Sequence, residues 1–223
     1  IHTLEVNEMA FKVNEFLKKF GQPLIEAGLS QNQYSAAENV LSAVREGKRT
    51  IVAELCARFG KTIWSGALIR ETDAQLTVVA SYVLTSFASF KKDLTSFEQF
   101  RDLILVEAGD DGWEDKISTA IKERKQVVAF LSMCAGGRRQ EKIDTLFGFD
   151  CNKLVIVDEA DYGVHQTKQS QPLIEARSED DIIILMTGTN SDKAASIWPV
   201  DHYLSVTYPE LLLEKHRDRL EHV

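Results

Sequence analysis

The sequence predicts an α/β domain of three layers, with a central and mainly parallel β-sheet. Six short apolar runs alternate with longer segments that show helical periodicity, and this alternation is typical of βαβ units. The runs are almost continuously apolar, as expected for strands that are covered on both faces. The predicted strands are 50–55, 76–81, 102–108, 126–132, 153–160 and 181–188.

Helical segments fill the spaces between these runs. The predicted helices between strands are 61–71, 83–92, 113–124, 138–147 and 168–178. Two further helical stretches, near 6–27 and 31–46, precede the first strand. We therefore predict one domain over residues 1–223, with a helical N-terminal extension (1–30), a core (31–206) and a C-terminal helix or linker (207–223).

Composition narrows the classes of function. The chain has 223 residues, and its net charge of −8 argues mildly against a stand-alone, tight nucleic-acid binder, although a locally basic groove is compatible with it. The three cysteines form no C-x-x-C pair, so neither a disulfide framework nor a zinc site is indicated, and a cytoplasmic location is expected. We find neither a signal peptide nor an apolar run of about 20 residues that would span a membrane.

The first candidate motif lies in AELCARFGKTIW, residues 53–64. Gly60-Lys61-Thr62 directly follows a predicted strand and opens a predicted helix, the context that a phosphate-binding loop needs. Lys61 would reach the β- and γ-phosphates, and the Thr62 hydroxyl would bind Mg²⁺. The first glycine of the usual G-x-x-x-x-G-K-[ST] pattern is replaced by Leu55. The alternative is an ordinary strand-to-helix turn with an exposed lysine.

The second candidate motif is LVIVDEAD, residues 154–161. Asp158 and Glu159 come where an apolar strand ends, and ligands of open parallel sheets bind beyond the carboxyl ends of the strands. We therefore expect them to meet Lys61 and Thr62 at one edge of the sheet. Asp158 would hold Mg²⁺ and Glu159 would orient and activate water. The alternative is a solvated acidic loop.

Together with Leu185-Met186-Thr187-Gly188-Thr189 at a third strand end, these motifs resemble the superfamily 2 helicases and translocases, which include DEAD-box and restriction-enzyme motors. The resemblance covers about residues 30 to 190 and implies a RecA-like P-loop NTPase fold that binds ATP and Mg²⁺. It implies catalytic roles for Lys61, Asp158 and Glu159, nucleotide binding by Arg58, Phe59, Gly60, Lys61 and Thr62, Mg²⁺ binding by Thr62 and Asp158, and coupling of hydrolysis to movement by Asp161, Thr187, Gly188 and Thr189.

Weaker matches extend the resemblance. Gln33 is similar to the glutamine that reads adenine in this family, although a surface glutamine is the equal alternative. Two strand ends lie where the family contacts the nucleic-acid backbone, and a polar loop that closes a strand explains each of them as well. The candidate contact residues are Ser81, Thr85, Ser86, Ser132 and Arg138. For His165 a loop role is favoured, and for Trp64, Trp113 and Trp198 packing is favoured.

The sequence also departs from the family pattern. Arg58-Phe59 replaces the small residues that usually precede the final glycine, and an arginine in this loop is similar to phage terminase large subunits. A DNA-packaging ATPase is therefore one alternative, and a nucleotide-binding module without turnover is another. The resemblance implies a second RecA-like domain in the parent chain and a nucleic-acid partner, with DNA favoured over RNA by analogy. Without that domain we expect weak nucleotide binding and poor hydrolysis.

Overall fold

The computed structural model describes residues 29–83, 85–134, 138–161, 167–188 and 191–220, with side chains omitted for 167–169 and 215–220. The helix predicted near 6–27 lies outside these ranges. The strands are β1 (Thr50–Leu55), β2 (Leu76–Ser81), β3 (Ile104–Glu107), β4 (Val127–Ser132), β5 (Lys153–Asp158), β6 (Ile182–Thr187) and β7 (His202–Val206).

All neighbouring strands are parallel, in the order β3-β4-β2-β5-β6-β1-β7. β7 was not predicted from the sequence. It is an edge strand that pairs with β1 alone, and its residues alternate between partly buried and exposed positions. A short strand of this kind lacks the continuous apolar run that marks the six strands found from the sequence.

The helices are α1 (Gln31–Arg45), α2 (Lys61–Glu71), α3 (Thr85–Ser96), α4 (Trp113–Lys122), α5 (Arg139–Gly148), α6 (Thr167–Ala176), α7 (Ser191–Ala195) and α8 (Tyr208–Leu220), with a 3₁₀ turn at Glu98–Phe100. The bounds of α2 agree with the predicted helix. α7 was missed because five residues are too few to show a helical period.

Two apolar cores, one on each face of the sheet, produce the predicted three layers. Along β1, Ile51 and Ala53 face the core formed with α1, α2 and α3, whereas Val52 faces the core formed with α4, α5, α6 and α7. Trp64, Trp113 and Trp198 are 0%, 7% and 2% exposed, which confirms that they pack in the interior. Because every strand is parallel, the carboxyl ends of all seven lie at one edge of the sheet.

β5 is shorter than predicted. The sequence pattern extends the strand to residue 160, but Glu159 has a φ of 52°, which a strand cannot contain. The chain therefore turns immediately after Asp158. Among the described residues, no helix is both long and apolar enough to cross a lipid bilayer.

Candidate nucleotide-binding site

The loop between β1 and α2 turns the chain sharply at the carboxyl edge of the sheet. The Phe59 N–H donates to the Cys56 carbonyl at 3.2 Å, and Gly60 adopts a left-handed conformation (φ 85°) immediately before the helix. The Trp64 N–H then donates to the Gly60 carbonyl at 3.2 Å. The first N–H groups of a helix lack partners within it, so this edge offers donors to an anion.

Phe59 anchors this loop. Its ring is 2% exposed and packs edge-on against Trp64, with ring centroids 6.0 Å apart. Its N–H is already bonded to Cys56. The Phe59 ring therefore holds the loop to the core, and contact between Phe59 and a nucleotide stays a prediction. Arg58 is exposed in a left-handed conformation (φ 67°), which places its side chain toward solvent.

Gln33 lies directly against the loop. Its Nε2 donates to the Phe59 carbonyl at 2.6 Å, and its Oε1 accepts from the Ser30 N–H at 2.9 Å. A Cβ atom at Gly60 would lie 2.4 Å from the same Nε2, so only glycine allows this close approach. The amide retains one N–H and one lone pair after these bonds. Adenine recognition by Gln33 stays a prediction that is compatible with this geometry.

Lys61 and Glu159 meet at the carboxyl edge. Lys61 Nζ lies 3.5 Å from Glu159 Oε1, and their side chains are 19% and 43% exposed. β6 separates β1 from β5 in the sheet, so the lysine reaches across the end of β6. A Cβ atom on Gly188, which follows β6, would lie 3.6 Å from Lys61 Nζ. The fold thus brings one residue from each of the three sequence motifs into a single small site.

Asp158 is 6% exposed at the end of β5. Burial, and then the neighbouring Glu159 carboxylate, raise the pKa of Asp158 above its ordinary value, while Lys61 and the Ser86 hydroxyl act in the opposite direction. Ser86 Oγ also lies 3.0 Å from Ser81 Oγ, and Ser81 is the register partner of Asp158 in β2. A buried carboxylate of this kind favours a bound cation.

The residue types at this edge fit a nucleotide with Mg²⁺. Thr62 is 9% exposed in the first turn of α2, next to Lys61, and supplies a hydroxyl, while Asp158 supplies a carboxylate. Within the described ranges, no group of three or more His, Cys, Asp or Glu side chains is arranged to hold a metal. Mg²⁺ commonly takes only one or two carboxylates, with phosphates and waters completing its shell, so Thr62 and Asp158 match that requirement.

The residues expected to couple hydrolysis to movement lie at the carboxyl ends of the neighbouring strands β5 and β6. Thr187 is fully buried at the end of β6, opposite Glu54 of β1. Asp161 Oδ1 is buried and has no hydrogen-bond partner among the described residues. Thr189 and His165 lie outside the described ranges. The Ala160 N–H donates to the Met186 carbonyl at 2.9 Å and ties the two strand ends together.

The five candidate nucleic-acid residues lie at the carboxyl ends of β2 and β4 or shortly after them. Ser81 is fully buried, and its hydroxyl is engaged with Val83 and Ser86. In this conformation the Ser81 hydroxyl is closed off from solvent, and its contact with a nucleic acid stays a prediction. Thr85 and Arg138 are exposed, whereas Ser86 and Ser132 are half-buried.

A separate cleft of about 690 Å³ lies beside the ends of β3 and β4. Ser132 and Arg138 line it together with Arg139 and Lys142. Acidic residues also line it, namely Asp110, Asp111, Glu114, Asp115 and Glu141. Lys61 and Asp158 are not among its lining residues, so the cleft is distinct from the site at the end of β5.

Three residues that support the site were missed by the sequence interpretation. Asn32 and Glu214 bond to each other at the start of α1, but they are too far apart in the chain to leave a local pattern. Ser30 was missed as well, although a signal for it exists. Ser30 and Gln33 form a capping box, and the S-x-x-Q spacing before an apolar periodic segment is its sequence signature.

Comparisons with known proteins address the fold. No family model and no curated protein matches the sequence. Among solved structures, the Hef helicase domain of Pyrococcus furiosus matches with a TM-score of 0.52 at 11% identity, over 80% of this chain and 40% of that chain. A nuclease-deletion mutant of the type ISP restriction–modification enzyme LlaGI, in complex with a DNA substrate mimic, matches with a TM-score of 0.51 at 14% identity, over 85% of this chain and 21% of that chain.

These likenesses establish the class of fold. The seven-stranded parallel sheet with helices on both faces is the RecA-like α/β fold of helicase domains, as the sequence predicted. The chain spans less than half the length of either of these two structures.

Proposed function

We propose that this chain is the ATP-binding motor domain of a nucleic-acid-dependent ATPase of the helicase or translocase type. The observation that carries the proposal is the convergence of Lys61, Glu159 and the buried Asp158 at the carboxyl edge of a helicase-like fold. The role of each residue follows from its chemistry and its position, and hydrolysis would drive movement along a nucleic acid.

Lys61 is placed to bind the phosphates. It begins α2, so its ammonium group lies near the free N–H groups of the helix start, and both attract negative charge. In this structure the Lys61 ammonium group is paired with the Glu159 carboxylate. A bound phosphate would take the place of that carboxylate. Thr62 and Asp158 would hold Mg²⁺, which supplies charge neutralisation on the phosphate oxygens when it is bound.

Glu159 is placed to activate water. It follows a buried strand in a left-handed conformation (φ 52°), which is uncommon for a residue with a side chain and occurs mainly where function or a turn requires it. Its side chain is 43% exposed, so water has access to the carboxylate. A carboxylate held beside the phosphates orients a water molecule and accepts its proton.

Nucleic acid would bind along the same edge, beyond β2 and β4. Thr85, Ser86, Ser132 and Arg138 are at least partly exposed there, and the Ser86 hydroxyl lies near enough to Asp158 to act on its pKa. Ser86 would therefore link a bound nucleic-acid strand to the Mg²⁺ site. DNA is favoured as the track because the LlaGI structure contains a DNA substrate mimic, and a second RecA-like domain would complete the site.

Calorimetric titration of a non-hydrolysable Mg-ATP analogue into the chain tests the proposal. The matched variants are Lys61→Ala and Lys48→Ala, because Lys48 is exposed and lies before β1, at the far end of that strand from the loop. We expect measurable binding by wild type and Lys48→Ala, and none by Lys61→Ala. Equal binding by all three proteins would show that the loop is not a phosphate cradle.

A further inference from the structure

α8 closes back onto the start of α1. Leu211 is 6% exposed and packs in the same core as Ala36 and Ala37 of α1. One turn later in α8, Glu214 is 7% exposed. A carboxylate is rarely buried to this extent unless it is paired or hydrogen-bonded, so its partners identify what the contact accomplishes.

Within the described part of the chain, Glu214 bonds to Asn32 through both carboxylate oxygens. Oε1 accepts from the Asn32 N–H at 3.0 Å, and Oε2 accepts from Asn32 Nδ2 at 2.9 Å. The same Nδ2 also lies 3.2 Å from the Glu210 carbonyl. Asn32 is the second residue of α1, where backbone N–H groups lack helical partners and a negative charge is favourable. Glu214 therefore caps α1 from a distant part of the chain.

The residue after Asn32 in α1 contacts the loop between β1 and α2. Gln33 follows Asn32 and donates to the Phe59 carbonyl at 2.6 Å, immediately before Gly60. At the other end of the loop, the Cys56 N–H donates to the carbonyl of Val206, just before α8, at 3.1 Å. Val206 therefore holds the start of the loop directly. α8 holds the end of the loop indirectly, through its contact with α1.

From this arrangement we propose that Glu214 and Asn32 are positioning residues for the phosphate loop. Their contact fixes the first turn of α1, and Gln33 then holds the Phe59–Gly60 backbone in the conformation that receives a nucleotide. Displacement of α8 releases this hold and lowers nucleotide affinity. The inference rests on the proposed function, because it takes the loop between β1 and α2 to bind phosphate.

The test compares Glu214→Ala and Glu214→Gln with Glu210→Gln in the full chain. Glu210→Gln is the matched control: it removes one negative charge from the same helix, but the Glu210 carboxylate bonds Thr207 and not Asn32. Calorimetry with Mg-ADP is expected to show an affinity about five- to tenfold weaker for Glu214→Ala, within the usual range of coupling between sites. Glu214→Gln retains an acceptor for the Asn32 N–H and should fall between wild type and Glu214→Ala.

Two further measurements separate positioning from general destabilisation. Steady-state kinetics should show a raised KM for ATP in Glu214→Ala with kcat changed less than twofold, because Glu214 touches no reacting atom. Hydrogen exchange of the unliganded proteins should be faster at the backbone of residues 57–62 in Glu214→Ala and unchanged in Glu210→Gln. Unchanged affinity for Mg-ADP in Glu214→Ala would overturn the inference.

The outcomes also distinguish this inference from the proposed function. If wild type binds no Mg-ADP, the proposed function fails, and the exchange experiment alone then decides whether Glu214 holds the loop. If wild type binds Mg-ADP and Glu214→Ala binds it equally well, only the positioning role fails. Both Glu214→Gln and Glu210→Gln preserve side-chain volume, so the comparison holds even where the alanine variant folds poorly.

Discussion

Lys61 Nζ lies 3.5 Å from Glu159 Oε1, across the end of the strand that separates their own two strands. The pair is partly exposed, so its contribution to folding stability is small, below about 1 kcal/mol. Its importance is chemical, because the cation proposed to bind phosphate and the carboxylate proposed to activate water are each other's partner before a nucleotide arrives. Substitution of either residue should therefore affect binding and turnover differently.

Glu159→Gln should separate the two roles. The amide removes the charge that competes for Lys61, so we expect Mg-ATP to bind as tightly as in wild type or a few-fold more tightly. Hydrolysis should fall by about 10²-fold or more, because the general base is lost. Binding is measured by calorimetry and hydrolysis by phosphate release from the parent protein with nucleic acid.

A suitable control for this experiment is Glu123→Gln, which removes a carboxylate from an exposed ion pair with Lys125. It should leave both binding and hydrolysis unchanged. Full turnover by Glu159→Gln would remove Glu159 from the mechanism and would favour a nucleotide-binding module without catalytic use of this residue.

Asp158→Asn should stabilise the metal-free protein at neutral pH. Burial and Glu159 raise the pKa of Asp158, which means that its ionised form is less favourable in the folded than in the unfolded chain. The neutral amide avoids this cost, and we expect a gain of about 0.5–2 kcal/mol in the free energy of unfolding. The same variant should lose Mg²⁺-dependent nucleotide binding.

Urea unfolding of both proteins in a chelator, at several pH values, measures this effect. The advantage of Asp158→Asn should shrink as the pH falls toward the ordinary carboxyl range of about 4, where wild-type Asp158 becomes protonated in both states. A variant that is less stable than wild type at pH 7 would contradict the account of Asp158 as a destabilised carboxylate.

Gly60→Ala should lower the free energy of unfolding more than Gly47→Ala does. Both Gly60 and Gly47 are left-handed, with φ values of 85° and 87°, so alanine strains the backbone at each by about 1–2 kcal/mol. At Gly47 nothing lies within 4 Å of the added Cβ, whereas at Gly60 it would lie 2.4 Å from Gln33 Nε2. Displacing Gln33 from Phe59 adds about 1 kcal/mol for the lost hydrogen bond.

Chemical denaturation of the two alanine variants measures this difference. In addition, the effects of Gly60→Ala and Gln33→Ala should not sum in the double variant, because both break the same contact. Equal destabilisation by Gly60→Ala and Gly47→Ala would show that Gln33 is not held tightly against the loop.

Asp201 should make stability depend on pH. Its Oδ2 accepts from the N–H groups of Thr50 and Arg49 at 3.0 and 3.1 Å, and these bonds hold the pKa of Asp201 below its ordinary value. A lowered pKa stabilises the fold above the ordinary carboxyl value, and this stabilisation is lost as the pH falls through the lowered value. Because Asp201 is exposed, the effect should stay below about 1 kcal/mol.

The measurement is the difference in unfolding free energy between wild type and Asp201→Asn from pH 7 down to pH 3. We expect wild type to be more stable at pH 7 and the difference to narrow as the pH is lowered. A difference that is constant across this range would show that the charge of Asp201 does not contribute.

Local patterns were sufficient where an element is buried on both faces. β1, β2 and β6 are continuous apolar runs, and they were located to within one residue at either end. β7 was missed because an edge strand with alternating exposure has no such run. The end of β5 was misplaced because the left-handed turn at Glu159 depends on its surroundings and not on its residue type.

The sequence by itself predicted the residues proposed to carry the chemistry and the edge of the sheet at which they lie. Gly60-Lys61-Thr62 and Asp158-Glu159 each follow an apolar run, and the carboxyl ends of parallel strands share one edge. Only the tertiary structure decided the strand order, which places β6 beneath Lys61, and the closure of α8 onto α1 through Glu214 and Asn32. Such contacts join residues far apart in the chain, and they form only when packing of the two cores fixes which segments are neighbours in space.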